Sequence, residues 1–225
     1  MDKQILKTII IKHERILSKI YRFLCMNKTS IKKRNRVIWG NAFMSHCKIK
    51  IVGERNYLYI GGKVSRLKST SISVYGSDNI IMIGDSCNLI DAHLHIEDNG
   101  GKIQIKNHVT ISGYSELAVI EGRRIEIGED CLFSNHIIMR TGDSHSIIDS
   151  STGSRINPSK DIIIGDHVWV GHDVKLLKGV KVGDNSVIAT GSILSNDEYP
   201  ANSVIGGVGK GRVLKSGINW DSKRI

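Results

Sequence analysis

The stretch of this chain best equipped for chemistry is RTGDSHSIID, residues 140 to 149. His145 stands there between two carboxylates, Asp143 and Asp149. Imidazole changes charge near neutral pH, so a histidine can take a proton from a substrate and return it. Such a base needs an acceptor to orient its other ring nitrogen. Asp143, Asp149 and a backbone carbonyl all qualify. A second group follows in HVWVGH, where His167 and His172 stand five residues apart with Trp169 between them. Two imidazoles at that separation suit zinc, but no third ligand is evident, and no metal ion is expected.

The elements around these residues are set by a period of six. Aliphatic residues stand at Ile164, Val170, Leu176, Val182, Ile188 and Leu194, each six after the last. Four residues after each of the first five come Val168, Val174, Val180, Ser186 and Ser192, and Gly165, Gly171 and Gly183 directly follow three of the aliphatics. Upstream the spacing is looser, at Ile83, Ile105 with Ile111, and Ile127 with Phe133 and Met139. Such a period describes a short strand plus a turn, and three units closing one circuit would stack as a coil with buried corners. Ile164 comes 25 residues after Met139, one out of phase with the period, so the coil is interrupted there by a loop near 143–161, and His145 stands where that loop leaves the wall. Trp169 occupies a variable position of its unit, which favours an outward ring over a core one.

Charge and composition bound the rest. Residues 1–36 hold eleven Lys/Arg against Asp2 and Glu14, whereas the remaining residues are near neutral. The net charge of +10 therefore belongs to one segment and does not make the body a nucleic-acid binder. Residues 3–25 read as an amphipathic helix, with Ile5/Leu6, Ile9/Ile10, Ile16/Leu17, Ile20/Tyr21 and Leu24 at helical spacing. Residues 27–36 read as a polar linker or cap. The helix serves either as a packing or oligomer contact or as a dock on anionic lipid headgroups. Its first apolar run, TIII at 8–11, is bounded by Lys7 and Lys12, which does not read as a signal peptide. Cys25, Cys47, Cys87 and Cys131 show no metal spacing and suggest reduced thiols and a cytoplasmic address. Cys87 and Cys131 hold positions that Val or Ser fill elsewhere, as small core fillers.

The repeats resemble the hexapeptide-repeat acyltransferases over about residues 80–215. IGDHVWVG, VKVGDNSVIATGSIL and YPANSVIGGV are similar to segments of maltose, galactoside and capsular polysaccharide O-acetyltransferases. The resemblance implies a mainly β chain folded as a left-handed parallel β-helix, the hand coming from the resemblance alone. The expected division is a basic helical segment 1–36, an acyltransferase coil 37–205 and a tail 206–225. The family implies a homotrimer with active sites between subunits and acetyl-CoA as acyl donor. TGDSH places His145 at the family's catalytic histidine, with Ser146 where a proline is usual. Trp169 matches a tryptophan lining the cleft. Gly171, His172, Thr190, Gly191, Ser195 and Asn196 correspond to the donor's path, and Lys210, Arg212 and Lys215 to its phosphates, although GGVGKGRVLK departs from the family's proline-containing run there.

Chemistry agrees with the assignment. A sugar hydroxyl is almost un-ionised at neutral pH, and a neutral imidazole can remove its proton as it attacks a thioester. A backbone N–H or a side-chain amide would hold the oxyanion, Asn135 being one candidate. SRINPSKDIIIGDHVWVG and SGINWDSKRI look most like polysaccharide O-acetyltransferases, so the expected acceptor is a capsular or other surface polysaccharide, with peripheral membrane contact through residues 1–36. The alternatives are a small-sugar or xenobiotic O-acetyltransferase, a zinc enzyme resembling γ-class carbonic anhydrase, and a non-catalytic scaffold.

Overall fold

The computed structural model describes the backbone of residues 3–223 and the side chains of residues 13–223. After one helix, α1 (Lys3–Leu24), the chain winds into a parallel β-solenoid of about eight turns. Each full turn contributes three short strands, so the coil has three faces, named here by a buried residue or landmark on each. The Ile164 face stacks eight strands from Arg36–Ile38 to Glu198–Tyr199. The Met139 face includes Lys48–Val52, Ser71–Tyr75, Ile137–Arg140, Lys175–Leu177 and Ile193–Leu194. The Trp169 face includes Arg66–Lys68, Leu132–Phe133, Trp169–Val170, Val187–Ile188 and Ser203–Gly206. Two long strands, Asn88–Ile96 and Thr110–Val119, bend around the corner and serve both of the latter faces.

The six-residue period is realised in the later coils. Ile164, Val170, Leu176, Val182, Ile188 and Leu194 are all buried, one per face in rotation. Ile127, Phe133 and Met139 do the same one coil earlier. Before that the circuit is longer than eighteen. Ile83, Ile105 and Ile127 stack directly at intervals of twenty-two residues, because the bent strands and wider corners take up four more. The upstream six-spacing therefore holds within parts of a circuit and not around it.

Corners bring backbone polar groups into the interior, and the fold satisfies them by ladders. Asn35 Oδ1 accepts from Asn56 N, Asn56 Oδ1 from Asn79 N, and Asn79 Oδ1 from Gly101 N, at 2.9, 2.9 and 2.7 Å. Asn56 and Asn79 are buried, so each amide replaces a bond to water that the turn has lost. Stacking is close enough at Gly128 that a Cβ there would lie 2.2 Å from the Gly165 carbonyl oxygen.

The coil begins inside the segment read from sequence as a linker. Lys28–Ile31 pairs with Lys48–Val52, and its polarity reflects its place at the open end of the stack, where little covers it. At the other end the tail is folded rather than free. Arg212–Ser216 turns back antiparallel on Ser203–Gly206, and Ile218 N donates to Asn202 O at 3.0 Å. Helix α1 changes direction at His13, whose backbone is non-helical. Its second half lies on the open end of the coil: Glu14 accepts from Val64 N at 2.6 Å, Tyr21 meets Phe43 edge-on, and Arg22 lies over Trp39.

Three of the four thiols are buried between coils. Burial raises the Cys47 thiol, pushes Cys87 up to about 11 and Cys131 up to about 12. A buried thiol with a raised pKa stays protonated and unreactive at pH 8. Iodoacetamide at that pH is expected to label Cys25 and spare Cys47, Cys87 and Cys131 until denaturant is added, as read by peptide mass spectrometry. Rapid labelling of Cys131 in the folded protein would contradict the stacked core.

Candidate active site

One circuit is far longer than the rest. Ile127 stacks on Ile164 and Met139 on Leu176, each pair thirty-seven residues apart. The excess forms a loop that leaves after Arg140 and returns at Ile162. Its neck is closed by Lys160 N donating to Thr141 O at 2.9 Å, and Thr141 is itself buried, its hydroxyl accepting from Ile120 N at 3.0 Å.

Asn157 organises what lies above the neck. Its amide nitrogen donates to the His145 carbonyl and to Asp143 Oδ2, both at 2.8 Å, while its oxygen accepts from Ile147 N at 2.7 Å and Arg155 Nε at 3.2 Å. Lys178 reaches from the next coil to Asp143 and to the Asn157 carbonyl. Lys178, and after it Asn157, hold the Asp143 carboxyl below its ordinary range. Arg155 pairs with Glu121 on the wall at 2.6 Å. The backbone of His145 is therefore fixed although its side chain is exposed. Further out, Asp149 caps the turn through Ser151 and Thr152, and those bonds lower it to about 2. Both carboxylates considered as orienters of His145 are thus engaged elsewhere, and among the described residues neither imidazole nitrogen makes a hydrogen bond. The loop also presents Ile147, Ile148 and Ile156 to solvent.

The residues expected along the donor's path fall into two groups beside the Met139 face. Ser195 and Asn196 lie at the same corner as the loop: Asn196 N donates to Lys178 O at 2.9 Å, and Lys160 Nζ to Asn196 Oδ1 at 2.5 Å. Gly171, His172, Thr190 and Gly191 lie at the corner between the Met139 and Trp169 faces. There Gly191 N donates to His172 O at 2.8 Å, and a Cβ on Gly171 would come within 2.7 Å of Thr190 N. Gly191 has φ +73° and open space beside it, so backbone is bare to solvent at that point. Thr190, Gly191 and Arg212 share a shallow cavity of about 320 Å³. Lys210 and Lys215 are exposed on the terminal hairpin. Asn135 accepts from His172 Nδ1 at 2.7 Å and stands at the corner away from His145. His167 instead meets Asn185 and Trp220, so the two histidines of HVWVGH serve different corners.

Trp169 is outward and 42% exposed. It lies on the face opposite the corner from which the His145 loop emerges, so one chain does not bring the two together. Asn157, Lys178 and Trp220 carry the local geometry and were not singled out by sequence. The Asn157-Pro158 pair is a turn signal, but nothing local shows that its amide serves residues twelve and fourteen positions away.

Comparison with known proteins agrees with this architecture. Residues 161–196 match the bacterial transferase hexapeptide (six repeats) model. The chain is 34% identical over 137 residues to the polysialic acid O-acetyltransferase of Neisseria meningitidis, covering 58% of this chain and 60% of that protein. It is 33% identical over 125 residues to the polysialic acid O-acetyltransferase of Escherichia coli O1:K1, covering 56% and 40%. The alignments thus span less than two thirds of either relative. The crystal structure of the polysialic acid O-acetyltransferase OatWY superimposes with a TM-score of 0.75 at 28% identity, over 88% of this chain and 89% of that one. In its stacked coils and its hexapeptide repeats the chain is similar to these O-acetyltransferases.

Proposed function

We propose that the chain is an O-acetyltransferase that moves an acetyl group from acetyl-CoA to a sugar hydroxyl of an anionic surface polysaccharide of the polysialic acid kind. The observation that carries this reading is the His145 loop, fastened at its neck and organised by Asn157, in a coil whose relatives are O-acetyltransferases of that polymer. His145 takes the proton of the acceptor hydroxyl as its oxygen bonds to the thioester carbonyl carbon. The tetrahedral intermediate then expels the CoA thiolate, which receives that proton from the imidazolium. Lys210, Arg212 and Lys215 offer cations for the donor's phosphates, and the bare backbone at Gly191 admits its pantetheine arm.

The working unit is a homotrimer with the site between subunits. His145 and Trp169 lie across the coil from each other, and the exposed Ile147, Ile148 and Ile156 give the loop an apolar surface for a neighbour. A loop from one subunit then reaches Trp169 of the next.

Helix α1 sets the enzyme against a membrane, on the cytoplasmic side. No described helix is long and apolar enough to cross one. Its second half, from His13, is inverted in its amphipathicity: Glu14 and Ser18, 8% and 0% exposed, face the coil, while Ile16, Ile20, Phe23 and Leu24 face outward, with Met26 exposed just beyond the helix. Among residues 13–36 the sole acid, Glu14, is thereby removed from the surface, leaving Arg15 and Lys19 exposed on the helix and Lys28, Lys32, Lys33 and Arg36 exposed on the coil that it covers. A second copy would meet this surface with like charge, whereas anionic lipid complements it.

His145→Ala is expected to lower kcat for acetyl transfer to polysialic acid by about two to four orders of magnitude. Asn157→Ala is expected to lower it by roughly tenfold, as misplacement of a base does. Retention of most activity by His145→Ala would remove the assignment. Strict preference for free sugars over polymer would replace the acceptor with a small molecule.

Flotation with phosphatidylglycerol vesicles should carry the full chain, and an Ile16→Ser, Ile20→Ser, Phe23→Ser variant should float at least about tenfold less. Truncation before residue 37 is a poorer test, because it removes Lys28–Ile31 from the coil. Undiminished flotation, or loss of the trimer in the variant, would exclude the lipid role.

A further inference from the structure

The chain is poor in aromatic residues, at 5%, and has three tryptophans. Two of them, Trp169 and Trp220, meet at the surface with ring centroids 6.0 Å apart. Trp220 comes from the tail and lies flat on His167, 4.3 Å between centroids and 9° between planes, with its indole N–H donating to the His167 carbonyl at 2.8 Å. Residues 219–222 thereby roof a cavity of about 490 Å³ whose floor holds Thr110 and the pair His108–Asp130, with Nδ1 and Oδ1 3.2 Å apart.

Tail fastening alone does not account for this arrangement. Strand pairing and the bonds between Ile218 and Asn202 already hold the tail. The His108–Asp130 pair is exposed and adds nothing to a core. Thr110, Leu132 and Trp169 stand in register on successive coils, so the cavity lies within about 10 Å of Trp169 along the face. A flat indole beside a carboxylate, an imidazole and a hydroxyl is a combination that suits a sugar ring, whose C–H face packs on the aromatic while its hydroxyls bond to the polar groups.

We propose that the cavity under Trp220 is a second saccharide subsite, which holds a further residue of the polymeric acceptor while Trp169 borders the residue being acetylated. The proposal rests on the O-acetyltransferase reading. It makes Trp220 a positioning residue that distinguishes long acceptors from short ones. Because Asp130 and Asp221 line the cavity, the sugar is held by stacking and hydroxyl bonds, and its own charge lies away from the floor.

The test compares Trp220→Ala and Asp130→Asn with the unaltered chain, using polysialic acid and the single sugar, free sialic acid, as acceptors. Each variant should raise KM for the polymer by about five- to tenfold. KM for free sialic acid, KM for acetyl-CoA and kcat at saturating polymer should stay unchanged, and Trp220→Phe should recover most of the loss. The effect should persist at 0.5 M salt. Asp130→Asn leaves the Trp220–His167 stack in place, so it reports the subsite even if Trp220→Ala loosens the tail. Equal increases in KM for polymer and free sialic acid, or no change in either variant, would overturn the subsite. Quenching of tryptophan fluorescence by polysialic acid in the absence of acetyl-CoA reads the same subsite without catalysis. If no acceptor is acetylated, the catalytic reading falls, and quenching that disappears in Trp220→Ala would still uphold the saccharide site, whereas quenching of equal size in the variant would overturn it.

Discussion

Everything in this molecule depends on coils stacking in register. Each strand gives its backbone N–H and C=O groups to the coils above and below, and each circuit places its aliphatic residues over those of the last. Parallel stacking satisfies backbone polar groups and buries the corners at once, and no circuit can do so alone. The constraint is strict about position and lenient about length. A circuit may hold eighteen, twenty-two or thirty-seven residues, provided that Ile105, Ile127, Ile164 and Val182 still fall in line.

That leniency is what permits the His145 loop. The excess residues of the longest circuit leave and re-enter the wall at points the stack has already fixed. The neck bond between Lys160 and Thr141 and the four bonds of Asn157 carry that order a few residues outward, as far as His145. Beyond it the loop is held by its own turn at Asp149 and by Arg155 on Glu121. A histidine anchored by its backbone with its ring open to solvent is what the proposed site between subunits requires.

How much of this could be read from sequence follows from the same physics. The coils from Ile164 to Leu194 were plain because each circuit has three equal units and every sixth residue is buried. The loop was visible as a break in phase. The earlier coils were blurred because bent strands and wide corners add residues between the buried positions, and Lys28–Ile31 looked like a linker because an end strand is mostly exposed. Asn157 and Trp220 were hidden for another reason. Asn157 is defined by partners across the loop, and Trp220 by His167, fifty-three residues earlier. The resemblance pointed to His145 and Trp169 as one site, but only the fold puts them on opposite sides of a single chain.

Mixing tests the central claim most directly. Trimers assembled from a His145→Ala chain and a Trp169→Ala chain, each inactive alone, should regain acetyl transfer at about a quarter of the wild-type level. In random assembly, about that fraction of interfaces would pair an intact histidine with an intact tryptophan. Mixed trimers as inactive as either parent would show that the two residues do not meet across the subunit boundary, and the account of the site would fail.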